Sequence, residues 1–354
     1  MESKAGTPTK LPSLSEWRAH IQGRGVRDDI ARSYLEYIRP LTKRAIPVIF
    51  DRNHLAALLG RTPDFLAKVT AAPNHFYRTF EIPKKSGGSR RISSPYPSLK
   101  ECQQWIAKEI LLRLPLHATA TAYAPGRSIF DHVKPHMEKG HEILIVDLKD
   151  FFPSISKKRV IGYFRSIGYN HEVSVALGSL CCLHGCLPQG SPASPHLSNL
   201  LALKLDRRLS ALASNSHLAY TRYADDLCFS GENIGGAIRH IIESAVSRSG
   251  FLVNAKKTRF FSAGSTAKVV TGINISSGEC RLPKSKRREL SQTMHFIEAF
   301  GYLSHKAKKK ILDPKYLIRL RGNIEFWRMA EPQNERVRIY LEKLSHLQRI
   351  HGDG

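Results

Sequence analysis

The chain has few cysteines, few acidic residues and no long apolar run. Its six cysteines are too few and too irregularly placed for a disulfide framework. Cys181, Cys182 and Cys186 lack a second ligand pair at zinc-finger spacing, so we expect buried or half-buried free thiols. No stretch approaches the roughly 20 apolar residues of a membrane span, and no signal peptide opens the chain. We therefore expect a cytoplasmic protein with reduced thiols and no membrane partner.

The shortage of acidic residues leaves a strongly basic chain. The 354 residues include 55 Lys and Arg but only 30 Asp and Glu, which gives a formal net charge of +25. Such an excess predicts a polyanionic partner, because neutralising phosphates releases condensed counterions. Composition alone leaves a ribosomal-type or merely basic soluble protein equally open. With 42% hydrophobic residues the chain can bury a sizeable core in two or three subdomains.

Helical spacing dominates the first part of the chain. Residues 1–12 are polar and rich in Lys, Pro and Ser, which is typical of a terminal tail. From residue 13 to about residue 71, apolar residues recur at helical spacing. Asp51 and Thr62 precede two of these patterns and are predicted to be N-caps.

Three carboxylates are placed at the ends of β-type runs. Asp147 ends the apolar stretch 143–146, and Asp225 and Asp226 lie in a tight turn 78 residues further along. A strand that ends in one carboxylate, beside a hairpin that carries two, can hold two divalent cations through oxygen ligands. Two such ions about 4 Å apart stabilise the attacking and leaving oxygens of an in-line displacement. The sequence therefore predicts a nucleotidyl-transfer site of the kind that template-copying polymerases have.

Two further segments are candidates for contact with a nucleotide or a template. Residues 77–92 read as two alternating strands around a Gly-Gly turn, with basic residues on both arms. Such a hairpin can fold over a triphosphate or grip a template backbone, although an ordinary surface hairpin with solvated charges is the plainer interpretation of this stretch alone. Residues 187–195 are dense in turn formers and lead into a helical pattern. There Gly190 would let backbone approach a ligand closely, and the helix start would supply free N–H groups.

In their order along the chain, these blocks resemble the motifs of bacterial reverse transcriptases. The order is the basic hairpin, then residues 147–152, 187–190, 223–226 and 250–258, and the resemblance covers about residues 75 to 275. Val270-Thr271-Gly272 resembles the signature of the retron subgroup. Residues 126–136 resemble a retron segment whose core reads Asn-Ala-x-x-His; His132 and Val133 replace its Asn-Ala pair, and His136 is kept.

The resemblance implies an α+β right-hand polymerase. Residues 1–75 would form an N-terminal helical extension. Residues 76–280 would form fingers and palm, built on an antiparallel sheet with helices on one side. Residues 281–354, with a net charge of +9 and their densest cluster at 306–310, would form a helical thumb. A thumb of this kind lies along the minor groove of an A-like duplex, whereas a solvated basic face is the plainer interpretation.

The resemblance also implies roles for individual residues. Asp147, Asp225 and Asp226 would be the catalytic ligands of two Mg²⁺ ions, for which Mn²⁺ can substitute. Phe152 would block a ribose 2′-hydroxyl, with a core-facing phenylalanine as the alternative. Lys257 would assist pyrophosphate departure or, alternatively, hold a surface turn. The remaining nucleotide-binding candidates are Arg90, Lys84, Gln189 and Gly190. The primer-binding or RNA-binding candidates are Tyr223, Arg127, His136, Val270, Thr271, Gly272, Lys308 and Lys309.

The implied activity is RNA-templated DNA synthesis from dNTPs. The retron resemblance adds a structured noncoding RNA as template and primer, priming from a guanosine 2′-hydroxyl, and a multicopy RNA–DNA hybrid (msDNA) as product. It also implies phage defence beside a separate effector protein, and a separate ribonuclease H that removes template RNA. Two alternatives stay open: another small defence-associated reverse transcriptase with a different template or none, and a catalytically silent RNA-binding protein.

Overall fold

The computed structural model describes residues 10–83 and 87–351. The strands are β1 (Tyr77–Pro83), β2 (Ser89–Pro95), β3 (Glu142–Asp147), β4 (Ala219–Tyr223), β5 (Asp226–Gly231), β6 (Arg259–Phe261), β7 (Val269–Val270) and β8 (Ile273–Asn274). The helices are α1 (Leu14–Gly23), α2 (Asp28–Lys43), α3 (Arg52–Leu58), α4 (Pro63–Ala71), α5 (Pro97–Glu109), α6 (Ile129–Val133), α7 (Lys157–Ser166), α8 (His171–Cys181), α9 (Ser194–Leu201), α10 (Leu203–Asn215), α11 (Gly236–Arg248), α12 (Lys284–Phe300), α13 (Tyr302–Lys308), α14 (Tyr316–Ala330) and α15 (Glu335–His351).

The third and fourth helices, α3 and α4, have the predicted caps. The Asp51 side chain accepts a hydrogen bond from the His54 amide, and the Thr62 hydroxyl accepts one from the Phe65 amide. Each cap satisfies one of the amides that a helix start leaves unpaired. The Tyr169 hydroxyl donates to the Pro47 carbonyl at 2.9 Å, which ties this helical region to the rest of the chain.

A four-stranded antiparallel sheet, in the order β4-β5-β3-β6, forms the centre of the protein. The apolar run Ile143–Val146 lies in β3 and is fully buried. β5 pairs with β3 on one side and with β4 on the other, so the Asp225 turn lies beside the end of β3. The predicted antiparallel sheet is confirmed.

The two faces of this sheet pack against two different hydrophobic cores. Leu144 and Val146 belong to a large core that also contains α7 to α10. Ile143, Ile145 and Cys228 face a second core, together with α6, the β7–β8 hairpin and the C-terminal helices. The expectation of helices on one side only is therefore wrong. Successive side chains of a strand point to opposite faces, and an unbroken apolar run such as 143–146 indicates burial on both.

The C-terminal region is helical, as predicted. Leu290, Met294, Ile324 and Leu344 from α12, α14 and α15 lie in the second core. In residues 10–83 and 87–351, no helix combines the length and the apolar character that a membrane span requires.

Candidate active site

The sheet brings the three predicted carboxylates to one end of two neighbouring strands. Asp147 and Asp226 are paired opposite each other across β3 and β5. Asp225 lies in the two-residue loop between β4 and β5, and its carbonyl accepts a hydrogen bond from the Leu148 amide at 2.9 Å. Ala224, the other loop residue, has φ = +56°, as the first residue of a tight two-residue hairpin loop requires. The separation of 78 residues in sequence thus becomes a close cluster of acids.

The electrostatics of this cluster favour a bound cation. Burial raises the pKa of Asp226 to about 6, and the Asp225 and Asp147 carboxylates add to the rise. Burial also raises the pKa of Asp225; the Asp147 carboxylate adds to that rise, and Lys257 and Arg90 oppose it. Like charges held together out of water disfavour each other's ionised form. A cation placed among them relieves that repulsion.

One cation of the chain already contacts this cluster. The Lys257 ammonium donates to Oδ2 of Asp147 at 3.1 Å, and the side-chain amide of Asn254 donates to Oδ1 of Asp147 at 2.9 Å. Within the described residues, no three His, Cys, Asp or Glu side chains are already arranged around a single point. The oxygen atoms of the three carboxylates fit a hard cation such as Mg²⁺. The Lys257 ammonium contacts one of these carboxylates, that of Asp147, at the position where a metal ion would compete with it. The residues therefore fit a divalent ion, with Lys257 as a competitor for Asp147.

A buried ion pair lies behind the hairpin that carries Asp225. Arg222, in β4, contacts Asp206 of α10, Asn199 of α9 and the carbonyl of Ala224 in the loop. Neither Arg222 nor Asp206 is exposed to solvent. Through Arg222, the hairpin turn is thus connected to α9 and α10.

Three of the nucleotide-binding candidates, Arg90, Gln189 and Gly190, lie on or against strand β2. Arg90 lies on β2 and is exposed. β2 is joined to the 187–190 segment by a hydrogen bond of 2.8 Å from the Ser93 amide to the Gln189 carbonyl. Gly190 has φ = +122°, and a Cβ there would lie 2.7 Å from the Ser93 carbonyl oxygen. The absence of a side chain at Gly190 therefore leaves room for the backbone of β2. The sequence predicts close approach at this residue, but by a ligand. Lys84 lies outside the described residues.

Phe152 is half-buried, so it is neither a fully enclosed core residue nor a freely exposed one. It packs against the edge of the large core, and its ring centroid lies 6.3 Å from that of Tyr123. Tyr223, at the end of β4, is also half-buried, with its ring centroid 5.6 Å from that of His132.

Two of the RNA-contact candidates are in the wrong place for that role. His136 is 1% exposed, and its two ring nitrogens bond to the hydroxyls of Ser230 and Thr221 at 2.7 Å each. Val270 is wholly buried in the second core. The expectation of direct RNA contact by these two side chains is therefore wrong. Because the His136 ring is enclosed, its pKa is lowered to about 3, chiefly by burial.

Thr271 and Gly272 form the two-residue loop between β7 and β8, with φ values of +44° and +87°. These residues thus form a tight hairpin turn. The Thr271 hydroxyl lies 3.5 Å from Oδ2 of Asp226, which links this loop to the carboxylates.

Arg127, another RNA-contact candidate, has a half-exposed side chain. Its Nη1 atom lies 3.6 Å from Oδ1 of Asp131.

Lys308 and Lys309 are exposed at the end of α13. They border a separate cavity beside α12. The structure therefore does not group them with the residues around the carboxylates.

Sequence reasoning missed three residues of this region: Tyr123, Asn254 and Arg222. Arg222 directly precedes the Tyr223–Asp226 motif and Asn254 lies three residues before Lys257, so proximity to a motif was an available signal. The sequence contains no such signal for Tyr123, because the position of this residue depends on an unusual backbone angle of φ = +57°.

Known proteins that are similar in sequence to this chain are reverse transcriptases. Residues 82–305 match the family model described as reverse transcriptase (RNA-dependent DNA polymerase). The chain is 33% identical to the retron Ec86 reverse transcriptase of Escherichia coli over 75% of its own length and 83% of that protein. It is 34% identical to the retron Mx65 reverse transcriptase of Myxococcus xanthus, covering 82% and 74% of the two chains. It is 33% identical to the retron Mx162 enzyme of the same organism, of which it spans 61%.

A solved telomerase structure from Candida albicans, in complex with a TWJ fragment of telomeric RNA, is 11% identical with a TM-score of 0.42. The match covers 78% of this chain and 63% of the telomerase chain. The family match spans most of the chain and includes all three carboxylates. The protein therefore belongs to the reverse transcriptases and, among them, to those of retrons. It is an RNA-directed DNA polymerase, and enzymes of its family use RNA templates, dNTPs and divalent metal ions.

Proposed function

We propose that this protein reverse transcribes a cognate structured noncoding RNA that serves as both template and primer. Synthesis would begin from a guanosine 2′-hydroxyl and yield a multicopy RNA–DNA hybrid. The observation that carries the catalytic part is the placing of Asp147, Asp225 and Asp226 at one end of β3 and β5, with raised pKa values at Asp225 and Asp226. The similarity to retron enzymes supports the RNA and its product.

In this proposal the three carboxylates hold two Mg²⁺ ions, and Mn²⁺ can replace them. When bound, the ions supply electrostatic stabilisation of the attacking and leaving oxygens. Arg90 binds the incoming triphosphate, since its planar guanidinium can pair with phosphate through two hydrogen bonds. Lys257, whose ammonium contacts Asp147, would assist the departing pyrophosphate.

The remaining residues position the substrates. Phe152 excludes a ribose 2′-hydroxyl, Gln189 lines the nucleotide pocket, and Tyr223 lies under the primer end. The proposed RNA contacts are the half-buried Thr271 and the exposed Arg127, Gly272, Lys308 and Lys309. Residues 1–75 are the helical extension, 76–280 the fingers and palm, and 281–354 the thumb.

Primer extension by the purified protein tests the catalytic proposal. We expect DNA synthesis on an RNA template with Mg²⁺ and dNTPs, and none from a variant in which Asp225 and Asp226 are both changed to Asn. Sequencing the RNA and DNA that co-purify with the protein then tests the retron part. Recovery of one structured RNA, linked through a 2′-hydroxyl to DNA copied from it, supports the proposal. A mixture of unrelated RNAs without linked DNA contradicts it.

We also propose a role in phage defence, together with a separate effector protein and a separate ribonuclease H. The support is the retron relationship alone. Cells that carry the gene and its neighbours should resist infection by some phages, and the Asp225→Asn, Asp226→Asn variant should remove that resistance. A structured RNA encoded just upstream would distinguish a retron from a defence-associated enzyme with another template.

A further inference from the structure

A strained tyrosine lies among the residues of the proposed nucleotide site, although the proposed mechanism gives it no role. Tyr123 is 44% exposed, and its backbone has φ = +57°. This left-handed region is unfavourable for a residue with a bulky side chain. Such strain persists only where the surrounding structure imposes it, and it concentrates at functional sites.

The residues before Tyr123 show how the strain is imposed. The Thr121 amide donates to the Arg222 carbonyl at 2.9 Å, and the Arg222 amide donates to the Thr119 carbonyl at 2.8 Å. The Asn199 side chain donates to the Ala122 carbonyl at 2.7 Å. The segment is therefore held alongside β4 up to residue 122. Tyr123 is the first residue beyond these bonds and lies beside the hairpin turn of Asp225.

The Tyr123 ring contacts Phe152 and lies within electrostatic range of three other side chains with proposed roles in nucleotide addition. Its centroid lies 6.3 Å from that of Phe152, at an interplanar angle of 46°. Burial raises the pKa of Tyr123, the Asp225 carboxylate and Tyr223 add to the rise, and Arg90 opposes it. The neighbours thus include a proposed metal ligand, a primer contact, a triphosphate contact and the residue that excludes the 2′-hydroxyl.

We propose that Tyr123 is a positioning residue for sugar selection. Its ring supports the Phe152 ring from the side, so that Phe152 cannot turn away from the space that a ribose 2′-hydroxyl would occupy. The inference rests on the role of Phe152 in the proposed function. A tyrosine that serves only the local fold would not affect the choice between sugars.

Three substitutions separate these cases. Tyr123→Phe keeps the ring, whereas Tyr123→Asn and Tyr123→Gly remove it and suit the positive φ better than tyrosine does. The Asn and Gly variants should therefore unfold at temperatures no lower than the unchanged protein. The readout is the ratio of kcat/KM for a dNTP to that for the matching rNTP, on one RNA template with a DNA primer. Phe152→Ala is measured in parallel.

We expect the ratio to be kept in Tyr123→Phe. It should fall by about 3- to 10-fold in the Asn and Gly variants, less than the full effect of removing the Phe152 ring. A purely structural role would slow both nucleotides equally and leave the ratio unchanged, which would overturn the inference. If the unchanged protein makes no DNA at all, the proposed function fails instead. If Phe152→Ala also leaves the ratio unchanged, the role of Phe152 fails together with that of Tyr123.

A second inference concerns the cavity of about 270 Å³ between α12 and α13. Phe296 and Phe300 stack with ring centroids 6.0 Å apart, and Phe300 is 63% exposed. The Lys308 ammonium lies 5.8 Å from the Phe296 centroid. The rest of the polar lining consists of Lys309, Gln292, Ser304 and His305. No acidic residue of the described chain lines the cavity.

We infer that this cavity binds an unpaired nucleobase of the RNA, with a neighbouring phosphate at Lys308 and Lys309. An aromatic face stacks with any base, and lysines beside it neutralise the backbone, as in other sites for single-stranded nucleic acid. The cationic rim disfavours an apolar or basic protein surface, and the exposed aromatic ring beside the lysines suits a base with its phosphate. The inference rests on the proposed RNA substrate.

Binding of two probes tests this inference, namely a single-stranded RNA oligonucleotide and a blunt RNA duplex of equal length. Phe300→Ala should weaken binding of the single strand by about 5-fold or more and leave duplex binding unchanged. Ile350→Ala, which removes another exposed apolar side chain on α15, should change neither. Equal losses on both probes, or no loss on either, would overturn the base-binding role. A failure of the unchanged protein to bind either probe would remove the proposed function itself.

Discussion

Arg222 donates two hydrogen bonds to the Asp206 carboxylate, at 2.8 Å from Nε and 2.7 Å from Nη2, and both side chains are wholly buried. Its remaining terminal nitrogen donates to the Asn199 amide oxygen at 3.0 Å and to the Ala224 carbonyl at 3.2 Å. Every charge in this pair is compensated, and the last bond fixes the turn from which Asp225 projects. The position of a proposed metal ligand therefore depends on an ion pair that touches no substrate.

Breaking this pair should be much more costly than replacing it. Arg222→Met leaves the Asp206 charge buried and alone, and we expect a loss of roughly 3–5 kcal/mol in the free energy of unfolding. The double change Arg222→Met with Asp206→Leu removes both charges and should recover most of that loss. Urea unfolding of the three proteins measures both values. A double variant no more stable than the single one would mean that packing, rather than charge compensation, makes the pair necessary.

Replacing both Asp225 and Asp226 by Asn should abolish DNA synthesis without unfolding the protein. An amide lacks the anionic oxygens that hold a metal ion for phosphoryl chemistry. Because burial and mutual repulsion raise both pKa values, removing the two charges should leave the free energy of unfolding unchanged or higher. Primer extension, RNA binding and urea unfolding are the measurements. More than a trace of extension would contradict the catalytic assignment.

Enlarging the space beside the sugar should weaken the preference for deoxynucleotides. Phe152→Ala or Phe152→Val removes the ring that we propose to block the 2′-hydroxyl. Steric discrimination of this size is about 10- to 200-fold, and the dNTP-to-rNTP incorporation ratio should fall within that range. An unchanged ratio would assign Phe152 to the hydrophobic core alone.

Thr271 offers a choice between two roles, contact with RNA and contact with Asp226. Thr271→Val removes the hydroxyl while keeping the β-branched shape, and Thr271→Ser keeps the hydroxyl. If the hydroxyl binds the cognate RNA, Thr271→Val should reduce synthesis on that RNA far more than on a generic RNA–DNA primer–template, and Thr271→Ser should reduce neither. Equal losses on both substrates would assign the hydroxyl to Asp226, 3.5 Å away.

The buried histidines should make stability depend on pH. Burial lowers the pKa of His132 to about 3, with the Arg222 charge adding to the effect. An unfolded histidine titrates near 6.5, so between about pH 6.5 and pH 3 the unfolded chain binds more protons and stability falls as pH falls. His132→Asn should reduce that slope by up to about 1.4 kcal/mol per pH unit. Urea unfolding at pH 7, 6 and 5 measures it, with the exposed His75→Asn as the control; equal slopes would contradict the burial argument.

The acidic cluster was predictable because its information is local. An apolar run that ends in Asp147 and a tight turn at Asp225 define two strand ends, and antiparallel pairing brings such ends together. The N-caps at Asp51 and Thr62 were predictable for the same reason, since a cap depends on residues within one turn of helix.

Burial and unusual backbone angles were not predictable in this way. His136 resembles a surface motif residue, yet partners 85 and 94 residues further along the chain enclose it. Tyr123 owes its position to hydrogen bonds made by Arg222 and Asn199, far from it in sequence. Gly190 was correctly expected to allow a close approach, but the approaching group is the backbone of Ser93. In each case the deciding contact is long-range.

The packing of both sheet faces has a practical consequence for dissecting this enzyme. Ile143, Ile145 and Cys228 lie on the catalytic strands β3 and β5, and side chains of the C-terminal helices help to shield them from water. A fragment that ended near residue 280 would expose this face and, as an apolar patch, would tend to aggregate. Truncated or split versions should therefore keep residues 281–351 together with the sheet. Loss of activity after a C-terminal deletion would not by itself identify those helices as an RNA-binding part.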